Sequence, residues 1–390
     1  MRNRFSISLI WVAIFIVTAN TFAQDFTQSD LPEGAKARLD KGRINEIAYS
    51  PDGKHLAVAS GTEIWLYDAQ TGKELELLAE HTDAVISIAF SSNGKTLMSG
   101  VSDGTVGIVH LWDVATGSKI RTLTAHAGAI NVAFSPDDST IASGNRDGII
   151  RLWDVATDSE IRTLKGHVGW VSSIAFSPDS ETLTSGGSDR AVRLWDVATG
   201  NEIRTFTGHT DAVISIAFSP DGNTIASGGA WQEGIVHLWD VATGNEIQTL
   251  TAHTDAVVTL AFSPDSKTLA SGSRDNTLRL WDVATGNEIQ TLTAHTDPVI
   301  GVAFSPNGNT LASNGLDGTV VLWELQPTAP EYLVEDVNKD GVVNILDLTL
   351  VASNFGKSGE NVADVNADGL VNILDLTLVA AAFGNSADAP

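Results

Sequence analysis

Two stretches near the C-terminus set carboxylates and carboxamides at alternate positions around a glycine. They read DVNKDGVVNILDLTLVASNFG from Asp336 and DVNADGLVNILDLTLVAAAFG from Asp364. Each offers oxygen at loop positions 1, 3, 5 and 12, with Gly at position 6 for a sharp turn. This donor set suits a hard cation: calcium takes about six to eight oxygens, and the chain must wrap tightly to supply them. The expected ligands of the first loop are Asp336, Asn338, Asp340, the Val342 carbonyl, Asn344 through a water, and Asp347. Those of the second are Asp364, Asn366, Asp368, the Leu370 carbonyl, Asn372 and Asp375, so two calcium ions are implied.

Histidine is the other source of chemistry. Six of the nine histidines, His81, His126, His167, His209, His253 and His295, stand at one position of a long repeat. Each is followed by a Ser, in most repeats by an Asp in a turn, and then by a Trp. The sets are His81, Ser99, Asp103, Trp112; His126, Ser143, Asp147, Trp153; His167, Ser185, Asp189, Trp195; His253, Ser271, Asp275, Trp281; and His295, Ser313, Asp317, Trp323. His209, Ser227 and Trp239 form a sixth set with no Asp at the turn, which is expected to lack its acidic end. Ser, His and Asp together would suit a nucleophilic triad, but five or more equivalent catalytic sites are implausible. A residue repeated this often serves what every repeat needs, namely partners for polar groups that would cost about 1–3 kcal/mol each if buried alone. His110 and His237 precede Leu-Trp-Asp where other repeats carry Arg, and are expected to be solvated strand residues.

The elements that position these residues follow from the repeat itself. AFSPDSKTLASGSRDNTLRLWD, residues 261–282, returns in near-copy every forty-odd residues, and its closing Leu-Trp-Asp or equivalent marks seven copies ending between Asp68 and Glu324. The apolar run 257–262 is too short for a helix and lacks a 3.6 period, so it predicts a strand buried on both faces. Turns of the SPDG type, a short TLASG strand, a second turn, a TLRLWDV strand, an ATG hairpin turn and an alternating outer strand follow. Four antiparallel strands at this period make one propeller blade. These residues resemble the WD40 family over about three quarters of the chain, because Gly-His or Ala-His, the turn Asp and Trp-Asp recur in register. The resemblance implies an all-β, seven-bladed propeller, in which the repeated His, Ser, Asp and Trp form a buried hydrogen-bond chain. Closure needs an outer strand from the far end of the chain, and residues 35–39 (AKARL) are expected to complete the last blade. Blade one is degenerate, with Tyr67 in place of Trp, as suits a unit beside the seam. Insertions in blades two and five are expected to lengthen one loop each.

At 390 residues the chain holds one large core and a small module. Its formal charge of −25 makes nucleic acid and anionic membrane surfaces poor partners, and no nucleic acid is expected. Residues 1–23 combine a positive start, an apolar stretch over 7–17 and small residues before Gln24, the pattern of a cleaved secretory signal peptide. The apolar stretch is shorter than the ~20 residues of a membrane span, so no membrane insertion is expected after cleavage. The expected destination is extracellular or cell-surface, or the periplasm. With no cysteine there is no disulfide framework. The expected division is signal peptide 1–23, linker 24–34, propeller 35–326, Pro-containing linker 327–333, calcium module 334–385 and tail 386–390.

In the calcium module Asp replaces the usual Glu at position 12, and Pro330 leaves little room for an entering helix. With the duplication, these departures from an EF-hand resemble the type I dockerin family, from 334 to about 384. That resemblance implies a small α module whose partner is a cohesin on a scaffold protein. It places cohesin contacts at Ile345 and Leu346 and at Ile373 and Leu374. On the propeller, residues that break the repeat matter most for partners. Trp170 and Trp231 do so in loops the family opens on one face, with Arg146, Arg190 and Arg274 beside the turns. These five are the expected contacts for an unidentified protein or glycan. The expected function is a non-enzymatic interaction scaffold with no catalytic residue. The alternative is an enzyme or accessory of polysaccharide degradation, for which Glu233 is the one acid at an unusual position.

Overall fold

The computed structural model describes residues 31–325 except 33, 103–105 and 128–129, together with residues 337, 345–354 and 379–380. The leader, the interdomain linker, Asp103 and every expected calcium ligand except Asp347 lie outside the described residues, as do Ile373 and Leu374. So do the side chains of His126 and Ile345.

Among the described residues, twenty-eight strands form seven four-stranded antiparallel sheets. Six blades are continuous in sequence, over 44–80, 85–127, 130–165, 171–206, 213–251 and 257–292. The seventh takes three strands from 299–324 and its outer strand, Ala35–Asp40, from the start of the propeller. That strand pairs antiparallel with Thr319–Glu324, matching Ala37 to Leu322 and Leu39 to Val320. The seam is then sealed by packing, with Ile44, Leu56 and Tyr67 of blade one against Ala312, Val320 and Leu322.

Within a blade, burial falls from the second strand outward. All six residues of Thr224–Gly229 are buried, whereas Glu160–Lys165 hides only Leu164. The small residues of the second strand let the next blade approach. A Cβ on Gly186 would stand 2.7 Å from Val213 Cγ1 of the following blade, well inside contact distance. The Asp of each Leu-Trp-Asp caps its hairpin: Asp196 Oδ1 accepts from the Thr199 amide at 2.6 Å and from its hydroxyl at 2.7 Å.

Blade two differs from the expectation. Its extra residues extend the ladder instead of the loop, giving strands Thr96–Ser102, Val106–Asp113 and Lys119–Ala127, with Ser102 opposite Gly107. Val106 and Ile108 are β-branched and suit strand backbone, so the insertion is absorbed as pairing. Blade five does carry a longer turn, a 3-10 segment over Trp231–Glu233.

Candidate functional site

The repeated side chains form the expected chains in blades four, six and seven. In blade six the Trp281 indole donates to Ser271 Oγ at 2.7 Å, Ser271 Oγ lies 2.8 Å from His253 Nε2, and His253 Nδ1 lies 2.9 Å from Asp275. Blades four and seven repeat this with His167 to Asp189 at 2.8 Å and His295 to Asp317 at 3.0 Å. Blade three retains Trp153 to Ser143 at 2.9 Å. In blade two His81 joins Ser99 at 2.9 Å and faces the Thr62 carbonyl. Burial pushes Asp275 and Asp317 upward, but hydrogen bonds from His253 with Thr277, and from His295 with Thr319, hold both below the ordinary carboxylate range. Burial lowers His167 and takes His81 down to about 4. The serines are wholly buried and already accept an indole N–H, so this geometry locks the hydroxyl and offers no nucleophile.

Two expectations for blade five are corrected. Its network does have an acidic end: Glu233 reaches back from the inserted turn, with Oε2 3.0 Å from His209 Nδ1 and Oε1 accepting the Thr210 amide at 2.7 Å. The longer glutamate spans what the longer turn opens, so Glu233 does not stand free as a catalytic acid. His237 is not solvated either. It is 7% exposed, its Nδ1 lies 2.9 Å from Glu246 Oε1, and its ring meets that of His209 at 4.5 Å. His110 is likewise half-buried, stacked near His81 and bonded to Thr122.

The strand order places the turn between second and third strands, and the connection entering each innermost strand, at one end of every blade. On that face Trp170 is 53% and Trp231 62% exposed. Each indole is covered by an arginine from the neighbouring blade, Arg146 4.6 Å from the Trp170 ring centre and Arg274 4.7 Å from that of Trp231. Arg190 lies between them in sequence, in a left-handed turn conformation, and enters neither stack. Val168 and Leu316, exposed apolar residues in the same class of loop, were not singled out from the sequence. Their departure from the repeat was the available signal.

The innermost strands enclose an axial channel of about 310 Å³, whose lining includes one equivalent position from each blade: Glu46, Ser87, Asn131, Ser173, Ser215, Thr259 and Gly301. Several of these polar side chains bind the next blade. Glu46 Oε2 accepts the Ile88 amide at 2.7 Å, Asn131 Oδ1 that of Ile174 at 3.2 Å and Ser173 Oγ that of Ile216 at 3.1 Å. Enclosure pushes the Glu46 carboxyl up to about 7.

Comparison with known proteins bears on the whole of this geometry. The family model described as WD domain, G-beta repeat matches residues 72–113, 117–154, 158–196, 200–240, 244–282 and 286–324, together more than half of the chain. The chain belongs to the WD40 repeat family. A further WD40 model, described as anaphase-promoting complex subunit 4 WD40 domain, matches residues 4–92 and so includes degenerate blade one. Similar curated proteins include an uncharacterized WD repeat-containing protein of Synechocystis, 36% identical over 25% of this chain and 28% of its own length. The 66 kDa stress protein of Physarum polycephalum is 35% identical over 30% of the chain and 20% of its own length. A serine-threonine kinase receptor-associated protein of Dictyostelium discoideum is 32% identical over 30% and 40%. The matched stretches thus span less than half the length of each of these relatives. Among solved structures, a chain of the mitotic checkpoint complex superposes with a TM-score of 0.69 at 29% identity, covering 76% of this chain and 98% of that one. The WD40 propeller is therefore continuous with a known architecture over its whole ring.

Beyond the WD40 propeller, residues 334–384 match the model described as Dockerin type I domain. The described part of this module is the helix Ile345–Ser353 with Val337, Asn354 and residues 379–380. Asp347 is wholly buried in the first turn of the helix, while Leu346 beside it is 58% exposed. Val351 and its counterpart in the second copy, Val379, are both wholly buried. The place of Asp347 at loop position 12 of the oxygen-rich set puts that buried carboxylate where the donor pattern calls for a ligand. With the oxygen-rich donor set of both loops, the residues present fit calcium.

Proposed function

We propose that this chain is an exported, non-enzymatic interaction protein. The WD40 ring presents the Trp170 and Trp231 face to a protein or glycan, and the dockerin fastens the ring to a cohesin-bearing scaffold. The observation that carries the reading is the dockerin match over 334–384, with Asp347 buried at the head of its helix and Leu346 turned outward beside it. Calcium held by Asp336, Asn338, Asp340, the Val342 carbonyl, Asn344 and Asp347, and by Asp364, Asn366, Asp368, the Leu370 carbonyl, Asn372 and Asp375, would organise the module. A module this small buries too little apolar surface to fold without its metal. Leu346, with Ile345, Ile373 and Leu374, would form the cohesin contact. The pattern of residues 1–23 supports secretion to the cell exterior or surface.

The test is binding of the mature chain to an immobilised type I cohesin. Binding is expected in calcium, to be abolished by chelator, and to be lost in the double variant Asp347→Ala, Asp375→Ala. Because all ten tryptophans lie outside residues 334–384, Trp fluorescence of the propeller should stay unchanged while the chelated tail becomes sensitive to protease. Calcium-independent resistance of the tail would overturn the calcium reading; a calcium-loaded tail that binds no cohesin would overturn the docking reading alone.

A further inference from the structure

Blade five departs from its sisters twice, and both departures meet at one place. In blade four the strand residue two before the Trp is Arg193, whose guanidinium spans from Glu202 at 2.6 Å to the turn acid Asp189 at 3.3 Å. Blade five carries His237 there, and an imidazole cannot make that span. Its Nδ1 satisfies Glu246 at 2.9 Å, which leaves Nε2 buried with no hydrogen-bond partner among the described residues. The other departure is Glu233, which brings a carboxylate to the same spot. One ligating atom from each of His209, Glu233 and His237 falls within 4.8 Å of the others.

We infer that His209, Glu233 and His237 form a binding site for a single divalent transition-metal ion, with zinc as its natural occupant. Two imidazole nitrogens and one carboxylate oxygen make a zinc donor set that leaves a fourth position for water. Calcium, which takes oxygens, does not compete for it. Each ligand is already oriented from behind, as metal ligands require. Thr210 holds Glu233 Oε1 through its amide at 2.7 Å and its hydroxyl at 3.1 Å, which leaves Oε2 to bind. Glu246 holds His237 Nδ1 and so turns Nε2 into the donor. Ser227 lies 2.7 Å from His209 Nε2, where the imidazole proton resides once Nδ1 takes the metal. Ligand pairs around a zinc ion stand about 3.3 Å apart at bond lengths of ~2.0–2.1 Å. His209 Nδ1 and Glu233 Oε2 already stand 3.0 Å apart, so the closure this requires is that of His237 onto that pair. Blades four and six, with Arg193 and Arg279 at the His237 position, cannot form such a site.

The experiment uses the tag-free mature chain in excess calcium, so that the tail loops are filled, titrated with cobalt(II) as a visible probe and then with zinc. One cobalt per chain is expected, with the absorption of a four- or five-coordinate ion, and zinc should displace it. His237→Arg, which installs the sister-blade residue, should weaken binding by about 100-fold or more, and Glu233→Gln by at least about tenfold, with the melting temperature of metal-free His237→Arg near that of the parent. Absence of stoichiometric binding to the unaltered chain would overturn the site, whatever the variants do. Undiminished binding in His237→Arg would also overturn it.

Discussion

The buried chain that begins at Trp281 ends on Asp275, so the cost of cutting it depends on the charge left behind. His253→Ala removes one hydrogen bond to a carboxylate that is 7% exposed and still held by Thr254 and Thr277, and a hydrogen bond to a charged group is worth about 1.5–3 kcal/mol. His209→Ala leaves Glu233, 3% exposed, in the same position. The two variants should therefore lose equal stability in urea denaturation, and a clearly smaller loss for His209→Ala would show that Glu233 is not the working end of its network. The repeat made the first chain legible from sequence, because the His to Asp interval is 22 residues in four blades and 21 in blade three. It hid the second, because the turn lengthens that interval to 24 and a longer side chain makes up the distance. A different pH dependence belongs to Glu46. Enclosure raises it from 4.5 to about 7, so its contribution is fully present below pH 4.5 and is lost as pH rises through 7. His81 acts in the opposite sense: lowered from 6.5 to about 4, it contributes fully above pH 6.5 and loses that as pH falls toward 4. Glu46→Gln keeps an acceptor for the Ile88 amide and removes the titration. It should match the parent at pH 4 and exceed it by about 1–2 kcal/mol at pH 8, discounted because the side chain lines the axial channel. Identical pH profiles of melting temperature would refute this.

At the scale of the element, the blade is defined as much by where side chains are missing as by where they pack. Gly186 lies where Val213 and Ile216 of the next blade press closest, with a built Cβ 2.7 Å and 3.0 Å from their methyl carbons. Gly144 meets Val171 in the same way at 2.8 Å. Gly186→Ala should thus cost about 1–3 kcal/mol by forcing two blades apart, although its backbone conformation admits alanine. The measurement is again urea denaturation, and a neutral outcome would mean that the interface yields without loss. The four strands, their order and the out-of-order closing strand were legible, because each repeats or completes a repeat in sequence. The extension of blade two was not. A period-breaking insertion has the same length whether it becomes loop or ladder, and the choice rests on pairing between Ser102 and Gly107 that sequence spacing does not encode. His237 was misjudged for a related reason. Strand periodicity assigns it a face, whereas its burial comes from His209, in the connection before the innermost strand, and from Glu246 on the outer strand.

Across the whole molecule, seven near-identical blades present near-identical surfaces, so the ring alone cannot orient one partner. Orientation must come from residues that occur once. Trp170 and Trp231 do, and each is stacked under an arginine reaching from a neighbouring blade. Such a stack holds a large apolar surface rigid and half-exposed, and places a cation beside it on a chain whose formal charge is −25. Aromatic and arginine residues most often dominate binding energy in this kind of setting. The stacks were only half legible: sequence marked the residues as unusual, but the pairing of Arg274 with Trp231, and not Arg190, depends on how adjacent blades are rotated about the axis. Since 53% and 62% of the two side chains already face solvent, truncating either removes little packing. We therefore expect Trp170→Ala and Trp231→Ala each to weaken binding of the propeller's protein or glycan partner by about tenfold or more, with the melting temperature moved by no more than a surface change moves it. Calorimetry of the variants separates the alternatives. A large drop in melting temperature would assign the indole to packing between blades, and unchanged affinity with unchanged stability would place the binding surface elsewhere on the ring.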